Sequence, residues 1–187
     1  MRDISRLVIL DRDGVINAES RQFVKSPAEW DPLPGSLDAI ARLNQAGFHV
    51  AVATNQSGLG RGMFDMATLA AIHLKMHRAV AHVGGRIDAV FYCPHSATVD
   101  CGCRKPKPGM LQAISERFQT PLAGVWAVGD SPRDLQAAAA AGAVPVLVLT
   151  GNGTATRDAG DLPAGTLVFP DLAAVSRTLV GDADAPK

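Results

Sequence analysis

The chain has 187 residues and a mass of 19.5 kDa, enough for one domain with a hydrophobic core of its own. Its 18 basic residues balance 18 acidic ones, which excludes a general nucleic-acid or membrane-surface binder, since either needs a strong positive field. Three cysteines fall within residues 93–103, an odd and clustered set that points to metal rather than to a disulfide framework. The early apolar run, Leu7 to Leu10, is too short for an export signal or a membrane span, so a cytoplasmic location is expected.

In chain order, residues 6–10 form a short apolar run that ends at Asp11, as in a strand buried on both faces. Residues 15–34 carry three prolines and no period, and read as a long loop with Trp30 as its anchor. Ser36 is expected to cap a helix that turns Leu37, Ile40 and Leu43 inward and stops at Gly47. A second buried strand covers residues 48–53 and runs into Thr54. Helical spacing of Leu69, Ile72, Met76, Val80 and Val83 predicts a helix over 65–83. Residues 87–92 make a third strand, and Pro108 opens a helix to residue 118. Strand four is expected over 125–128, an alanine-rich helix over 131–142 and strand five over 145–149. A short edge strand at 167–169 and a last helix over 171–180 complete the series, leaving 181–187 as a mobile tail.

Such alternation predicts an α/β fold, three-layered and Rossmann-like, with a central parallel sheet covered on both faces. A single domain over residues 1–180 is expected. Ligands bind beyond the carboxyl ends of such strands, and three ends here carry chemically capable residues: Asp11 and Asp13, Thr54 and Gln56, and Asp130.

Asp11-Arg12-Asp13-Gly14 sets two carboxylates at i and i+2 on a strand end. One can attack an electrophile, the other can move a proton, and their charge can hold a divalent cation. Thr54, with Asn55 to Gly62 behind it, offers a hydroxyl, backbone N–H groups and the Arg61 fork to phosphate oxygens. Arg104, Lys105 and Lys107 are interleaved with Pro106 and Pro108, which stiffen the loop and aim the cations. Asp130 can complete a magnesium site with Asp11. Asp134 pairs with Ser131 as a capping box and reads as structural. Taken singly, each motif is also what an ordinary turn, glycine loop or solvated charge run looks like.

Cys93, His95, Cys101 and Cys103 are four soft ligands within eleven residues, the complement of a filled tetrahedral Zn²⁺ site, hence a structural one. The pair His73 and His77 lacks a third ligand nearby and reads as an ordinary helix-surface pair, and His49 and His82 as ordinary histidines.

The four ordered motifs resemble those of the haloacid dehalogenase (HAD) superfamily of phosphatases, over Asp11 to Asp134, about two-thirds of the chain. That resemblance implies Asp11 as nucleophile, Asp13 as general acid/base, Thr54 and Lys105 as phosphoryl ligands, and Asp11, Asp13 and Asp130 as Mg²⁺ ligands. No large cap is expected, because only 40 residues separate Asp13 from Thr54. With the Cys-x-His…Cys-x-Cys-Arg-Lys-Pro loop added, the sequence is most similar to the heptose bisphosphate phosphatases. Membership would imply removal of the 7-phosphate of D-glycero-D-manno-heptose 1,7-bisphosphate through an aspartyl-phosphate, on the way to ADP-heptose and the lipopolysaccharide core. Asn17, Glu19, Asn55, Gln56 and Ser57 would then touch the sugar, Arg61 would belong to the substrate-binding set, and Arg104 would meet the distal 1-phosphate. The short spacer between His95 and Cys101 is closer to the histidinol-phosphate phosphatases, the alternative substrate class. A non-catalytic phosphosugar-binding module on the same fold is the alternative outside enzymes. The expected partner is a small sugar bisphosphate, and a compact neutral domain is compatible with a monomer.

Overall fold

The computed structural model describes residues 6–20 and 22–181; the tail expected beyond Gly181 lies outside the described residues. Six parallel strands form one sheet in the order β3-β2-β1-β4-β5-β6. They are β1 (Leu7–Leu10), β2 (His49–Asn55), β3 (Ala89–Cys93), β4 (Trp126–Gly129), β5 (Val144–Val148) and β6 (Leu167–Phe169). The helices are α1 (Ser36–Gln45), α2 (Ser57–Gly60), α3 (Met66–His82), α4 (Gly109–Phe118), α5 (Pro132–Ala141), α6 (Gly153–Ala159) and α7 (Leu172–Val180).

Strand periodicity sorts the core into two layers. Val8 and Leu10 of β1, with Val50, Val52, Val128, Val146 and Val148, face α1, α3 and α7 through Ile40, Leu43, Ile72, Met76 and Val175. The alternate residues, Leu7 and Ile9 with Ala51, Ala53 and Ala127, face α4 and α5 through Leu111, Ile114, Ala137 and Ala138. Alanines on both sides of this second interface let the helices approach the sheet closely. Helices thus cover both faces, as a wholly parallel sheet requires.

Strand order decides where the chemistry sits. β1 lies between β2 and β4, so Asp11, Thr54 and Asp130, each just past or at the end of its own strand, converge on one edge. Among the described residues, the stretch between Asp13 and Thr54 holds only loop, a 3-10 turn at Pro27–Glu29, α1 and most of β2, so no cap domain is inserted there. Trp30 is buried, as expected, with the Lys75 ammonium over its ring. Among the described residues no helix is long and apolar enough to cross a membrane.

Three local readings need correction. Gly35, not Ser36, is the N-cap of α1; its φ of 75° suits glycine, and the Ser36 hydroxyl instead donates to the Val15 carbonyl at 2.8 Å. α2 lies where only loop was expected. α6 escapes the sequence pattern because Gly153 and Thr156 are the only residues it buries, leaving no apolar period to detect.

Candidate active site

β1 delivers Asp11 to the middle of the edge, where it is buried and lies within ion-pair distance of Lys105. Its Oδ1 accepts from the Arg12 backbone N–H at 2.7 Å and faces Lys105 Nζ at 3.1 Å. Burial pushes the Asp11 carboxyl well above its ordinary pKa. Asp134, Asp130 and Asp13 push the same way, against the single opposing charge of Lys105.

Lys105 is itself buried and held on three sides. Its ammonium donates to the Ala53 carbonyl at 2.7 Å and pairs with Asp11 and, at 2.6 Å, with Asp134. Asn55 fixes the backbone beneath it through a reciprocal pair, Nδ2 donating to the Lys105 carbonyl at 3.0 Å and Oδ1 accepting from its N–H at 3.1 Å. Asp134 therefore does more than close the predicted capping box with Ser131, which is present; it also anchors the lysine.

Asp13 meets a different environment. The fully buried Arg12 guanidinium donates to both of its oxygens, Asn17 Nδ2 donates at 2.9 Å and Gln56 Nε2 at 3.0 Å. Burial alone would raise this carboxyl; Arg12 and the amide donors outweigh it, and its pKa lies below the ordinary value. Gln56 also donates to Thr54 Oγ1 at 2.9 Å, tying the ends of β1 and β2 together. Behind Arg12, at 3.3 Å, lies His73, pushed down to about 4 by burial and by that guanidinium. His73 thus backs the site as a neutral ring.

Asp130 keeps one oxygen without a partner. Its Oδ2 accepts from the Asn152 N–H at 2.8 Å and Nδ2 at 3.2 Å, while its buried Oδ1 has no partner. Burial, the largest cause, pushes its carboxyl up to about 6. Asp11, Asp130 and Asp134 bring carboxylate oxygens within 4.8 Å of one another. With Asp134 committed to Lys105 and Ser131, Asp11 and Asp130 remain as the oxygen donors a hard divalent cation would take. Gly14 belongs to the same geometry: a Cβ there would lie 2.1 Å from Asp130 Oδ2, so the glycine of Asp-x-Asp-Gly makes room for the fourth motif.

A cleft of about 310 Å³ opens over these groups, lined by Asp11, Asp13, Glu19, Thr54, Asn55, Gln56, Ser57 and Arg104 among the anticipated residues. Glu19 is pushed up to about 7 by burial first and then by Asp130 and Asp13. Outside the cysteine loop, four of the anticipated residues are not on the lining: Lys105 and Asp130, which are buried, and Asn17 and Arg61. Asn17 is fully buried beneath Asp13, and Arg61 is exposed with its guanidinium 5.7 Å from the centre of the Phe23 ring. Ser20, Phe23, Val24, Arg133 and Asn152 line the cleft without having been anticipated. Phe23 carries a left-handed φ of 64°, unusual for a bulky residue, at the cleft wall.

Beside the cleft, Cys93, His95, Cys101 and Cys103 gather as expected: His95 Nδ1 lies 3.5 Å from Cys93 Sγ and 3.4 Å from Cys103 Sγ, and Cys93 lies 3.8 Å from Cys101. Burial pushes the Cys93 thiol up to about 12, so it stays protonated at neutral pH unless a cation replaces the proton. The loop abuts the site directly. Gln56 N–H donates to the Cys93 carbonyl at 2.8 Å, and Arg104 Nη1 donates to the His95 carbonyl at 3.2 Å.

Comparison with known proteins accords with this arrangement. A family profile described as polynucleotide kinase 3 phosphatase matches residues 6–135, more than half of the chain, and one described as HAD-hydrolase-like matches residues 102–175. The D-glycero-beta-D-manno-heptose-1,7-bisphosphate 7-phosphatase of Bordetella bronchiseptica is 62% identical over 178 residues, covering 95% of this chain and 99% of the relative. The chain belongs to this family of HAD phosphatases. Its Pseudomonas putida member is 55% identical, over 94% of this chain and 99% of its own. The crystal structure of the B. bronchiseptica D,D-heptose 1,7-bisphosphate phosphatase, complexed with magnesium and phosphate, superposes with a TM-score of 0.94 over 95% of this chain and 99% of that one. The Burkholderia thailandensis D,D-heptose 1,7-bisphosphate phosphatase gives 0.76 at 54% identity, again over 95% and 99%.

Proposed function

We propose that the protein is a Mg²⁺-dependent phosphatase that removes the 7-phosphate of D-glycero-β-D-manno-heptose 1,7-bisphosphate through an aspartyl-phosphate on Asp11. The observation that carries this reading is the pairing at the cleft floor of a buried Asp11 with Lys105, beside the partnerless Oδ1 of Asp130. A phosphoryl group placed there meets a nucleophile and a fixed cation. The relatives' shared name supplies the sugar and its anomer.

In the first step an Asp11 carboxylate oxygen bonds to phosphorus while the bond from phosphorus to the C7 oxygen breaks. Asp13 gives a proton to that leaving oxygen. In the free protein Asp13 is ionised, because Arg12 and the amide donors hold its pKa low. An incoming phosphate dianion opposes Arg12 and raises the proton affinity of Asp13. A phosphate monoester also has a second pKa of about 6, so a share of substrate arrives with the needed proton. In the second step Asp13 takes a proton from water as the water oxygen bonds to phosphorus and the phosphorus–Asp11 bond breaks. Thr54 and Lys105 hold the phosphoryl oxygens through both steps. Mg²⁺ held by Asp11, Asp130 and the Asp13 backbone would neutralise the charge of the transferring group.

Arg104, on the cleft wall, takes the distal 1-phosphate, and Glu19, Asn55 and Ser57 meet the sugar hydroxyls. Cys93, His95, Cys101 and Cys103 would hold Zn²⁺ in a structural role, since four protein ligands would leave no position open for a water. A soluble monomer in the cytoplasm, feeding ADP-heptose and lipopolysaccharide core synthesis, completes the reading. The clustering of all three cysteines in one metal-type loop rather than in disulfides, together with the family, supports it.

Phosphate release with Mg²⁺ from both heptose 1,7-bisphosphate anomers and from histidinol phosphate, at matched concentrations, tests this directly. The expected result is a preference for the β anomer of at least about tenfold in kcat/KM, some 1.4 kcal/mol. A preference for histidinol phosphate would overturn the substrate, and no turnover of any of them would leave a binding module.

A further inference from the structure

The turn that follows β5, Thr150 to Asn152, belongs to none of the four motifs, yet it touches two of them. The Thr150 hydroxyl donates to the Gly14 carbonyl at 2.6 Å. Gly151 sits so near that a Cβ on it would lie 2.2 Å from Asp130 Oδ2 and 2.7 Å from Gly14 Cα. Asn152 directs two donors, its backbone N–H and its side-chain amide, at the same oxygen of Asp130. The turn therefore grips the nucleophile loop and the fourth-motif aspartate together.

We infer that Asn152 is a positioning residue for the divalent cation: by holding Asp130 Oδ2 it leaves Oδ1 free and aimed as the ligand atom, and so sets the affinity of the site for Mg²⁺. The inference rests on the Mg²⁺ site proposed above. Its physical basis is the asymmetry of the carboxylate. A carboxylate on a single torsion can present either oxygen, and an unheld one spends part of its time with the wrong oxygen, or neither, in place. Two donors on Oδ2 remove that freedom, and the buried Oδ1 is left with no protein partner of its own. Removing the side-chain amide leaves one donor, at the backbone, so the grip loosens rather than disappears. Asn152 is itself exposed and lines the cleft, so its substitution opens no cavity in the core.

Mg²⁺ titration of the zinc-loaded protein by calorimetry, with the dissociation constant as readout, separates the outcomes. Asn152→Ala should weaken Mg²⁺ about three- to tenfold, less than the roughly 10- to 100-fold usual for loss of an outer hydrogen bond because the backbone donor remains, with zinc content unchanged. At saturating Mg²⁺ its kcat should return to the parent value. Asn152→Ser, which keeps a short donor, should recover part of the affinity. An unchanged dissociation constant for Asn152→Ala would overturn the inference, as would a kcat that stays depressed at saturating Mg²⁺. Failure of the parent protein itself to bind Mg²⁺ would instead bring down the proposed function.

Discussion

The carboxylate cluster at the strand ends and the cysteine loop beside it both gather groups able to ligate a cation, by opposite means. Asp11 and Asp130 are 119 positions apart in sequence and meet only because β1 and β4 are neighbours in the sheet. Cys93 to Cys103 span eleven residues and could close on a metal with little help from the rest of the fold. The first cluster is anionic and open to a cleft; the second offers a complete set of four and lines no part of that cleft. Long-range, charge-frustrated and open is what chemistry requires, whereas local and saturated is what a staple requires.

The largest expected effect breaks the first site alone. Asp11→Asn should lower turnover by roughly 10⁴-fold or more while leaving the circular dichroism spectrum in place, because only the nucleophile changes. Residual hydrolysis within about tenfold of the parent would remove Asp11 from the reaction. Breaking the second site should act the other way round. Cys103→Ser should lower the melting temperature by roughly 10 °C, as loss of a few kcal/mol does in a domain of this size. Metal analysis of protein purified without chelators should find zinc in the parent and little in the variant. Equal zinc content in both would show that the loop holds none.

Arg104 couples the two regions, since it follows the last cysteine and reaches the cleft wall. Arg104→Ala should lower kcat/KM for the bisphosphate about 10- to 100-fold, the range for a charged hydrogen bond, and lower that for a monophosphate by less than about threefold. Equal losses on both substrates would place Arg104 with the transferring phosphate instead of the distal one.

The same contrast governs how much of the molecule could be read in the sequence. All six strands were legible: β1, β2, β4 and β5 are apolar runs largely buried in the sheet, while the half-buried β3 and the exposed edge strand β6 showed only as short apolar runs. So was the cysteine loop, a local pattern. The carboxylate site was legible as strand ends in order, and Asp11, Asp13, Thr54 and Asp130 converge as that order implies. Residues that serve the site from outside the strand ends were not. Asn152 follows a Thr-Gly turn, Phe23 lies in a loop without period, and Arg133 looks like any exposed helix residue until β4 places it at the cleft. Arg61 went the other way: its Gly-rich context suggested phosphate, and the chain turns it toward Phe23. Asp134 had a sufficient local explanation in the capping box, which hid its pairing with a lysine 29 positions earlier.

The smallest effect sharpens the comparison through pH. Asp130 is pushed up to about 6 and Asp11 is raised well above its ordinary value, burial being the first cause of each, and the unfolded chain titrates both near 3.8. Between about pH 4 and pH 6 the folded chain therefore binds more protons than the unfolded one, so stability without Mg²⁺ falls as pH rises through that window. Asp13 and Asp134 are lowered, so their contributions are present above the ordinary carboxylate range and are lost only as pH falls below it. Mg²⁺ competes with the protons on Asp11 and Asp130. Its stabilising increment should thus be close to nil at pH 5 and grow to a few degrees of melting temperature by pH 7.5, read by differential scanning calorimetry with zinc retained. The Asp130→Asn variant should lose that pH-dependent increment. An increment of equal size at pH 5 and pH 7.5 would mean that the raised carboxylates are not where the cation binds, and the open, charge-frustrated site would lose its physical rationale.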